Sequence, residues 1–256
     1  MTPALQLAAV SVTLGGRPVL REASLTVAPG EIVGVVGANG AGKTTLLRAA
    51  LGLATLSAGE ARLGGQPVSA LSDAERAGLA GYLPQERRVA WNMPAWRIAA
   101  LGAPHRPPAQ AHRLALAALV DVGVGDLAAR GARDMSGGER AKVLIARLLV
   151  TGAPLLIADE PAAGLDPHAV LQVMEVLEVR ARAGAAVLVT LHDLTLAARV
   201  CDRLAVMSEG KIISLAAPRV ALAPETLAEA FALEGEILDT PAGRVLAARR
   251  ANHGLP

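Results

Sequence analysis

Residues 37–45 form a glycine-rich loop that constrains the fold more than any other feature of the chain. They read Gly-Ala-Asn-Gly-Ala-Gly-Lys-Thr-Thr and fit the pattern G-x-x-x-x-G-K-[ST]. An apolar run at 32–36 precedes the loop, and a helix-compatible stretch at 44–51 follows it. This context distinguishes a phosphate-binding loop from a flexible glycine turn. The segment therefore predicts a nucleoside triphosphate site between a strand and a helix.

The residue types of the loop suit phosphate binding. Glycine permits the tight turns that let successive backbone N–H groups point at phosphate oxygens, and the positive end of the following helix adds to the attraction. Lys43 is predicted to reach the β- and γ-phosphates, and the Thr44 hydroxyl to ligate Mg²⁺. The nucleotide-binding residues predicted in the loop are Gly37, Asn39, Gly40, Ala41, Gly42, Lys43, Thr44 and Thr45.

The composition limits the kinds of partner that we expect. The chain has 256 residues, enough to bury a large core, and 52% of them are hydrophobic. Charges interrupt its most apolar stretches, so none reaches the roughly 18 apolar residues of a membrane-spanning helix. The net charge of +2 is small and the basic residues are scattered, which argues against nucleic acid as a partner. The single cysteine, Cys201, and an N-terminus unlike a signal peptide favour a soluble protein of the reducing cytosol.

Two kinds of pattern alternate along the chain. Short apolar runs between turn residues predict strands over 5–36, and strands alternating with helices are predicted over 155–213. Residues 86–150 are rich in Ala and Leu and predict helices, with a proline-rich break at 104–108. We therefore expect a single α/β domain with a helical insertion. Its expected parts are a catalytic core at about 1–85 and 151–215, the insertion at about 86–150, and a C-terminal tail at about 216–256.

Two adjacent carboxylates follow a strand that is predicted to be buried, 155–158. Ligands of open α/β sheets bind beyond the carboxyl ends of strands, so Asp159 and Glu160 are expected beside the phosphate loop. We assign Asp159 to Mg²⁺ or its water ligands, and Glu160 to the activation of the attacking water. The alternative is that the two acids have no catalytic role and only mark the point where a buried strand reaches solvent.

A second glycine-containing segment, 135–139, reads Met-Ser-Gly-Gly-Glu. Ser136 and Glu139 are spaced as a capping box, with Ser136 as the N-cap of a helix. A capping box does not need two glycines, which lower helix propensity by about 1 kcal/mol each. Exposed N–H groups at a helix N-terminus also form an anion site, so the two interpretations are compatible.

Over residues 5–240 the chain resembles the ATP-binding subunit of ABC (ATP-binding cassette) transporters. The motifs that carry the resemblance stand in the family's order. They are the Walker A loop 37–45, Gln85 of a Q-loop, the signature motif 135–139 with Met in place of the usual Leu, Walker B at 155–160, a D-loop containing Asp166, and the switch histidine His192. By themselves, Gln85 would pass for an ordinary loop amide and His192 for a core histidine.

The resemblance implies a P-loop NTPase core with an antiparallel β subdomain and an inserted α-helical subdomain. It further implies a head-to-tail homodimer with two ATP molecules at the interface. Ser136, Gly137 and Gly138 of one subunit would meet the nucleotide bound by the loop of the other, and Asp166 would cross the interface. Gln85 would contact Mg²⁺ and the water, while Lys43, Glu160 and His192 would complete the catalytic set.

One position departs from the family pattern. Family members usually carry an aromatic residue upstream of Walker A, where it stacks on adenine, and the matching residue here is Leu14. Leucine offers an apolar contact without a π face. Because stacking of a base on an aromatic ring is worth roughly 1–3 kcal/mol in single-strand binders, selectivity for the base is expected to be relaxed.

The segments 96–105, 192–202 and 224–231 are similar to ATPases of iron-siderophore, haem and cobalamin importers, although Ala103 replaces an arginine of that group. We therefore expect an importer subunit at the cytoplasmic face of the inner membrane, bound to permease subunits and served indirectly by a substrate-binding protein. Trp91 or Trp96 is a candidate contact with a permease helix, although ordinary core packing explains either as well. An exporter ATPase and a non-transport ABC ATPase are the alternatives.

Overall fold

The computed structural model describes residues 2–86, 89 and 91–251. Its strands are β1 (Leu5–Leu14), β2 (Arg17–Val27), β3 (Ile32–Gly37), β4 (Ala58–Leu63), β5 (Gln66–Pro67), β6 (Ala80–Leu83), β7 (Leu155–Ala158), β8 (Ala186–Thr190), β9 (Arg203–Ser208), β10 (Lys211–Ala216), β11 (Leu233–Thr240) and β12 (Gly243–Arg250). Its α-helices are α1 (Lys43–Ala50), α2 (Asp73–Leu79), α3 (Ala95–Ala100), α4 (Pro108–Asp121), α5 (Gly137–Val150), α6 (Pro167–Arg182), α7 (Leu194–Val200), α8 (Pro218–Ala221) and α9 (Pro224–Phe231).

A six-stranded sheet forms the centre of the molecule, in the order β10-β9-β3-β8-β7-β6. Five of its strands are parallel, and β10 pairs antiparallel with β9 at one edge. Strands β3, β7 and β8 are buried along their whole length, which explains why they read as continuous apolar runs and not as alternating ones. Their carboxyl ends lie at one edge of the sheet, and the phosphate loop follows β3 there.

A second, antiparallel sheet has the order β2-β1-β4-β5. The turn between β1 and β2 is Gly15-Gly16, and both glycines have positive φ, 54° and 76°. One face of this sheet packs with α1 and one face of the central sheet into a shared apolar core. The α/β class and the antiparallel sheet expected from the resemblance are thus confirmed.

The helical insertion consists of α3, α4 and α5. Helix α4 begins at Pro108, which fits the proline-rich break because proline is well tolerated in the first turn of a helix. Gly102, two residues after the end of α3, packs against α5, and a Cβ added there would collide with the carbonyl oxygen of Arg147 and lie 3.1 Å from Val150 Cβ. A glycine is therefore required for the two helices to approach this closely.

The C-terminal part contains a hairpin, β11–β12, that the sequence patterns did not predict. Its strands are mostly exposed, and Glu234 and Arg249 form a cross-strand ion pair of 2.9 Å. The hairpin is held to α7 because the N–H of Leu246 donates to Thr195 Oγ1 (3.2 Å) and Arg244 donates to the carbonyl of Ala198 (3.1 Å). Residues 252–256 of the expected tail lie outside the described residues.

Within the described ranges, no helix is both long enough and apolar enough to cross a lipid bilayer.

Replacing Gly102 by alanine is expected to lower the free energy of unfolding by about 1–3 kcal/mol, because the new methyl group must displace α5. Gly78 of α2 is the matched control, since an added Cβ meets nothing within 4 Å there. Gly78→Ala should instead raise the free energy of unfolding by about 0.5–1 kcal/mol through helix propensity. Urea denaturation of both variants measures the difference, and equal effects would contradict the close approach of α3 to α5.

Candidate active site

The phosphate loop joins β3 to α1 and leaves the first turn of the helix open to a ligand. Gly42 is the N-cap of α1 with φ 101°, and it supplies no side-chain hydrogen bond to the first-turn N–H groups. Gly40 also has positive φ, 82°. These N–H groups at the positive end of a helix are suited to a polyphosphate.

Most of the predicted loop residues surround one cavity of about 310 Å³. Its lining consists of Val19, Asn39, Gly40, Gly42, Lys43, Thr44, Thr45, Gln85 and Glu160. Gly37 and Ala41 are buried instead. Val19 was not predicted as a site residue, and only the packing of β2 against the loop brings it there.

Lys43 is 7% exposed, and its Nζ donates to the carbonyls of Gly37 (2.7 Å) and Ala38 (3.1 Å). Burial lowers the pKa of this amine, while the charges of Glu160 and Asp159 oppose that effect. The ammonium group is therefore held over the loop by acceptors that phosphate oxygens can replace.

Asp159 follows β7 and is completely buried. Its Oδ1 accepts a 2.7 Å hydrogen bond from the hydroxyl of Thr190, the last residue of β8. Its Oδ2 is buried and has no hydrogen-bond partner within the described part of the chain. A buried carboxylate oxygen left in this way, on a residue whose charge acts on Lys43 of the loop, fits the hard oxygen donors that Mg²⁺ prefers.

Glu160 turns the chain sharply after Asp159. Its φ is 52°, a conformation that costs a non-glycine residue of order 1–2 kcal/mol. Its N–H donates to Thr190 Oγ1 at 2.7 Å, which helps to hold the turn. Thr190 therefore orients the Asp159 carboxylate and holds the backbone of Glu160. It was missed in the sequence, where its only signal is a polar residue at the end of an apolar strand.

The carboxylate of Glu160 lies between two of the other predicted catalytic side chains. Gln85 Nε2 donates to Glu160 Oε2 at 3.0 Å, and His192 Nε2 lies 2.5 Å from Oε1. These three residues come from the ends of different strands, with Gln85 75 positions and His192 32 positions from Glu160 in the chain. The structure thus brings them together at the mouth of the phosphate loop.

The signature motif lies elsewhere in the chain. The N–H of Glu139 donates to Ser136 Oγ (3.2 Å) and the N–H of Ser136 to Glu139 Oε2 (2.6 Å), so the predicted capping box is confirmed. The second of these hydrogen bonds is the main cause of the lowered pKa of Glu139. Ser136, Gly138 and Asp166 line a separate cavity of about 290 Å³, which shares no described residue with the loop cavity. Gly137 is exposed beside it.

Asp166 is the N-cap of α6, where its Oδ1 accepts from the N–H of Ala169 at 2.9 Å. This hydrogen bond is the main cause of the lowered pKa of the Asp166 carboxyl. Leu14 lies at the end of β1, 52% exposed, beyond the residues that line the loop cavity.

A strand–loop–helix unit, with two carboxylates from a parallel strand of the same sheet, defines this chain as a P-loop nucleotide-binding protein. The family model described as "ABC transporter" matches residues 20–163. The chain belongs to the ABC transporter family.

Relatives and solved structures resemble the chain over most of its length. The Hemin import ATP-binding protein HmuV of Myxococcus xanthus is 39% identical over 248 residues, which are 93% of each chain. The Cobalamin import ATP-binding protein BtuD of Halobacterium salinarum is 38% identical over 233 residues, or 89% of this chain, but this chain spans only 58% of the length of that relative. The solved structure of cbiO1 from Clostridium perfringens, described as part of the ABC transporter complex cbiONQ, has a TM-score of 0.78 and 25% identity, covering 89% of this chain and 93% of that one.

Thr190→Val is expected to lower the rate of ATP hydrolysis at saturation by about 10-fold, because it removes the hydroxyl that accepts from the Glu160 N–H and donates to Asp159. The Michaelis constant for ATP should change less, since Thr190 is not among the residues that line the loop cavity. Thr190→Ser keeps the hydroxyl and should retain most of the activity. Steady-state kinetics on the three proteins tests this, and equal losses in both variants would show that the hydroxyl does not matter.

Leu14→Tyr is expected to tighten the binding of ATP more than that of inorganic tripolyphosphate, because only ATP carries a base that can stack on the new ring. Isothermal titration calorimetry with both ligands measures the two changes. If they are equal, the tyrosine is not stacking on the base, and position 14 does not belong to the base site.

Proposed function

We propose that this chain is the ATP-hydrolysing subunit of an ABC importer for an iron chelate, either a siderophore complex or haem, or for cobalamin. The observation that carries the proposal is the convergence of Gln85 and His192 on Glu160 at the mouth of the phosphate loop. The proposed class of cargo rests on relatives whose names specify hemin and cobalamin import.

In the proposed reaction the first-turn N–H groups of α1 and Lys43 bind the β- and γ-phosphates, taking the place of the loop carbonyls that Lys43 now contacts. Glu160 accepts a proton from the attacking water, and Gln85 and His192 hold its carboxylate at the loop. Thr44, Asp159 and Gln85 would hold Mg²⁺, which compensates phosphate charge when bound. The hydroxyl of Thr190 holds the Asp159 carboxylate and the Glu160 backbone in place.

The proposed active form is a homodimer, because the signature residues and the loop line separate cavities in one chain. Ser136 and the exposed N-terminus of α5 would close on the γ-phosphate held by a second copy. Hydrolysis then depends on closure of the dimer, which links the chemistry to a movement.

A membrane permease is the second proposed partner, with this chain peripheral at the cytoplasmic face. A cavity of about 660 Å³ between β6 and the ends of α3 and α5 offers a place for it. Tyr82 and Arg147 line this cavity, and no described lining residue carries a carboxylate, so the occupant is expected to supply one. Burial lowers the pKa of Arg147. Of the two tryptophans, Trp91 is 72% exposed and accessible to such a partner, whereas the Trp96 ring packs edge-on to His112 with centroids 4.7 Å apart.

Deletion of this chain in its host is expected to abolish the uptake of one labelled cargo among haem, iron-siderophore complexes and cobalamin. The wild-type chain should restore uptake and Glu160→Gln should not, because loss of a general base costs about 10²–10⁴-fold in rate. Glu175→Gln, an exposed change on α6, is the matched control and should restore uptake fully. Copurification should also recover a permease with several membrane spans. Normal uptake of all three cargoes in the deletion strain would refute the proposal.

A further inference from the structure

The lining of the loop cavity combines catalytic polar groups with one apolar side chain, and this gives a bound nucleotide its direction. Gln85 donates to Glu160 in the cavity wall, where the γ-phosphate and water belong. Val19 is the one apolar side chain among the described residues that line the cavity, and it belongs to β2, which packs on Gly42. A nucleotide whose γ-phosphate meets the Glu160 carboxylate is therefore expected to extend its nucleoside past Val19.

Beyond Val19 lies the tip of the β1–β2 hairpin. Strand β2 packs tightly on the loop, since a Cβ on Gly42 would lie 3.0 Å from the carbonyl oxygen of Val19. Val12 pairs with Leu20 and Thr13 with Pro18, so Val19 is the extra residue of a β-bulge. A bulge bends its strand, and two residues further on the hairpin ends, roughly 7 Å away at the usual rise of a strand. A nucleoside that extends past Val19 along this strand is therefore expected to bring its base to the hairpin tip.

Two exposed side chains lie at this tip. Leu14 and Arg17 are directly paired across the hairpin, and residues paired in this way lie on the same face of an antiparallel ladder. Both are exposed, and within the described structure Arg17 has no ion pair or side-chain hydrogen bond. The turn glycines Gly15 and Gly16 leave open space beside them, because a Cβ added to either glycine would meet nothing within 4 Å.

An aromatic ring is missing from this surface. The chain contains one Tyr, one Phe and two Trp, and none of them lies in β1 or β2. Tyr82 belongs to β6, Phe231 to α9 and Trp96 to α3. Leu14 supplies aliphatic contact, so Arg17 carries the only planar side-chain group among the residues of the hairpin tip, 14–17.

We propose that Arg17 forms the base-binding surface, with its planar guanidinium stacked on the nucleotide base beside Leu14. Every base has a π face that such a plane can cover, and stacking reads no hydrogen-bond pattern at the base edge. The site therefore takes purine nucleoside triphosphates with little discrimination between adenine and guanine. The inference rests on the proposed function only in that the loop binds a triphosphate.

The test compares three ligands on the purified full chain: the non-hydrolysable imido analogues of ATP and GTP, and inorganic tripolyphosphate. We expect the two analogues to bind with dissociation constants within about 3-fold of one another, because no base edge is read. Arg17→Ala should weaken both by about 2- to 5-fold and leave tripolyphosphate unchanged. Arg21→Ala, an exposed arginine of the same strand, is the matched control and should change none of the three.

Arg17→Lys separates stacking from charge, because lysine keeps the charge but has no planar group. It should behave like Arg17→Ala. Full retention of affinity in the lysine variant, or an equal loss for tripolyphosphate in Arg17→Ala, would show that Arg17 contacts phosphate and would overturn the inference. A strong preference for one base, or unchanged binding in Arg17→Ala, would also overturn the inference. If none of the three ligands binds the wild-type chain, the proposed function itself is wrong. If the ligands bind but show any of these contrary patterns, only the proposed role of Arg17 is wrong.

Discussion

The left-handed turn at Glu160 is the constraint on which the rest of the site depends. It lets two adjacent acids point in different ways, with Asp159 buried beside the sheet and Glu160 directed at the phosphate loop. Thr190 makes this possible because its one hydroxyl accepts from the Glu160 N–H and donates to Asp159. The neighbouring strand β8 thus offsets the strain of the turn and fixes the Asp159 carboxylate and the Glu160 backbone.

The same architecture keeps the phosphate loop and the signature motif on two separate surfaces. The loop and the carboxylates lie at the carboxyl edge of the central sheet, whereas Ser136 begins a helix of the insertion. Both surfaces are helix N-termini with open N–H groups, and each alone suits an anion. Their separation in one chain is the physical argument for a second copy of the chain. The cavity beside Arg147 is the physical argument for a contact with a permease.

Local patterns predicted most of the individual parts. The loop is specified by glycines that must turn and by a lysine that must follow them, and Ser136 with Glu139 is a capping box whose two hydrogen bonds span three residues. Such short-range geometry can be predicted from a few neighbouring residues. The C-terminal hairpin was not predicted, because its exposed strands lack the apolar runs that indicate a buried sheet and its position depends on contacts with α7.

The sequence by itself determined the α/β class and the phosphate loop, because each follows from the pattern of neighbouring residues. It also identified the candidate residues for phosphate chemistry, with Gln85 and His192 depending on the resemblance to a family. Only the tertiary structure decided which of them meet. Gln85, Glu160 and His192 converge because β6, β7 and β8 are adjacent parallel strands that end at one edge. The roles of Thr190 and Val19 are likewise set by strand packing, because a hydroxyl or a methyl group acquires a function only from what the fold places against it.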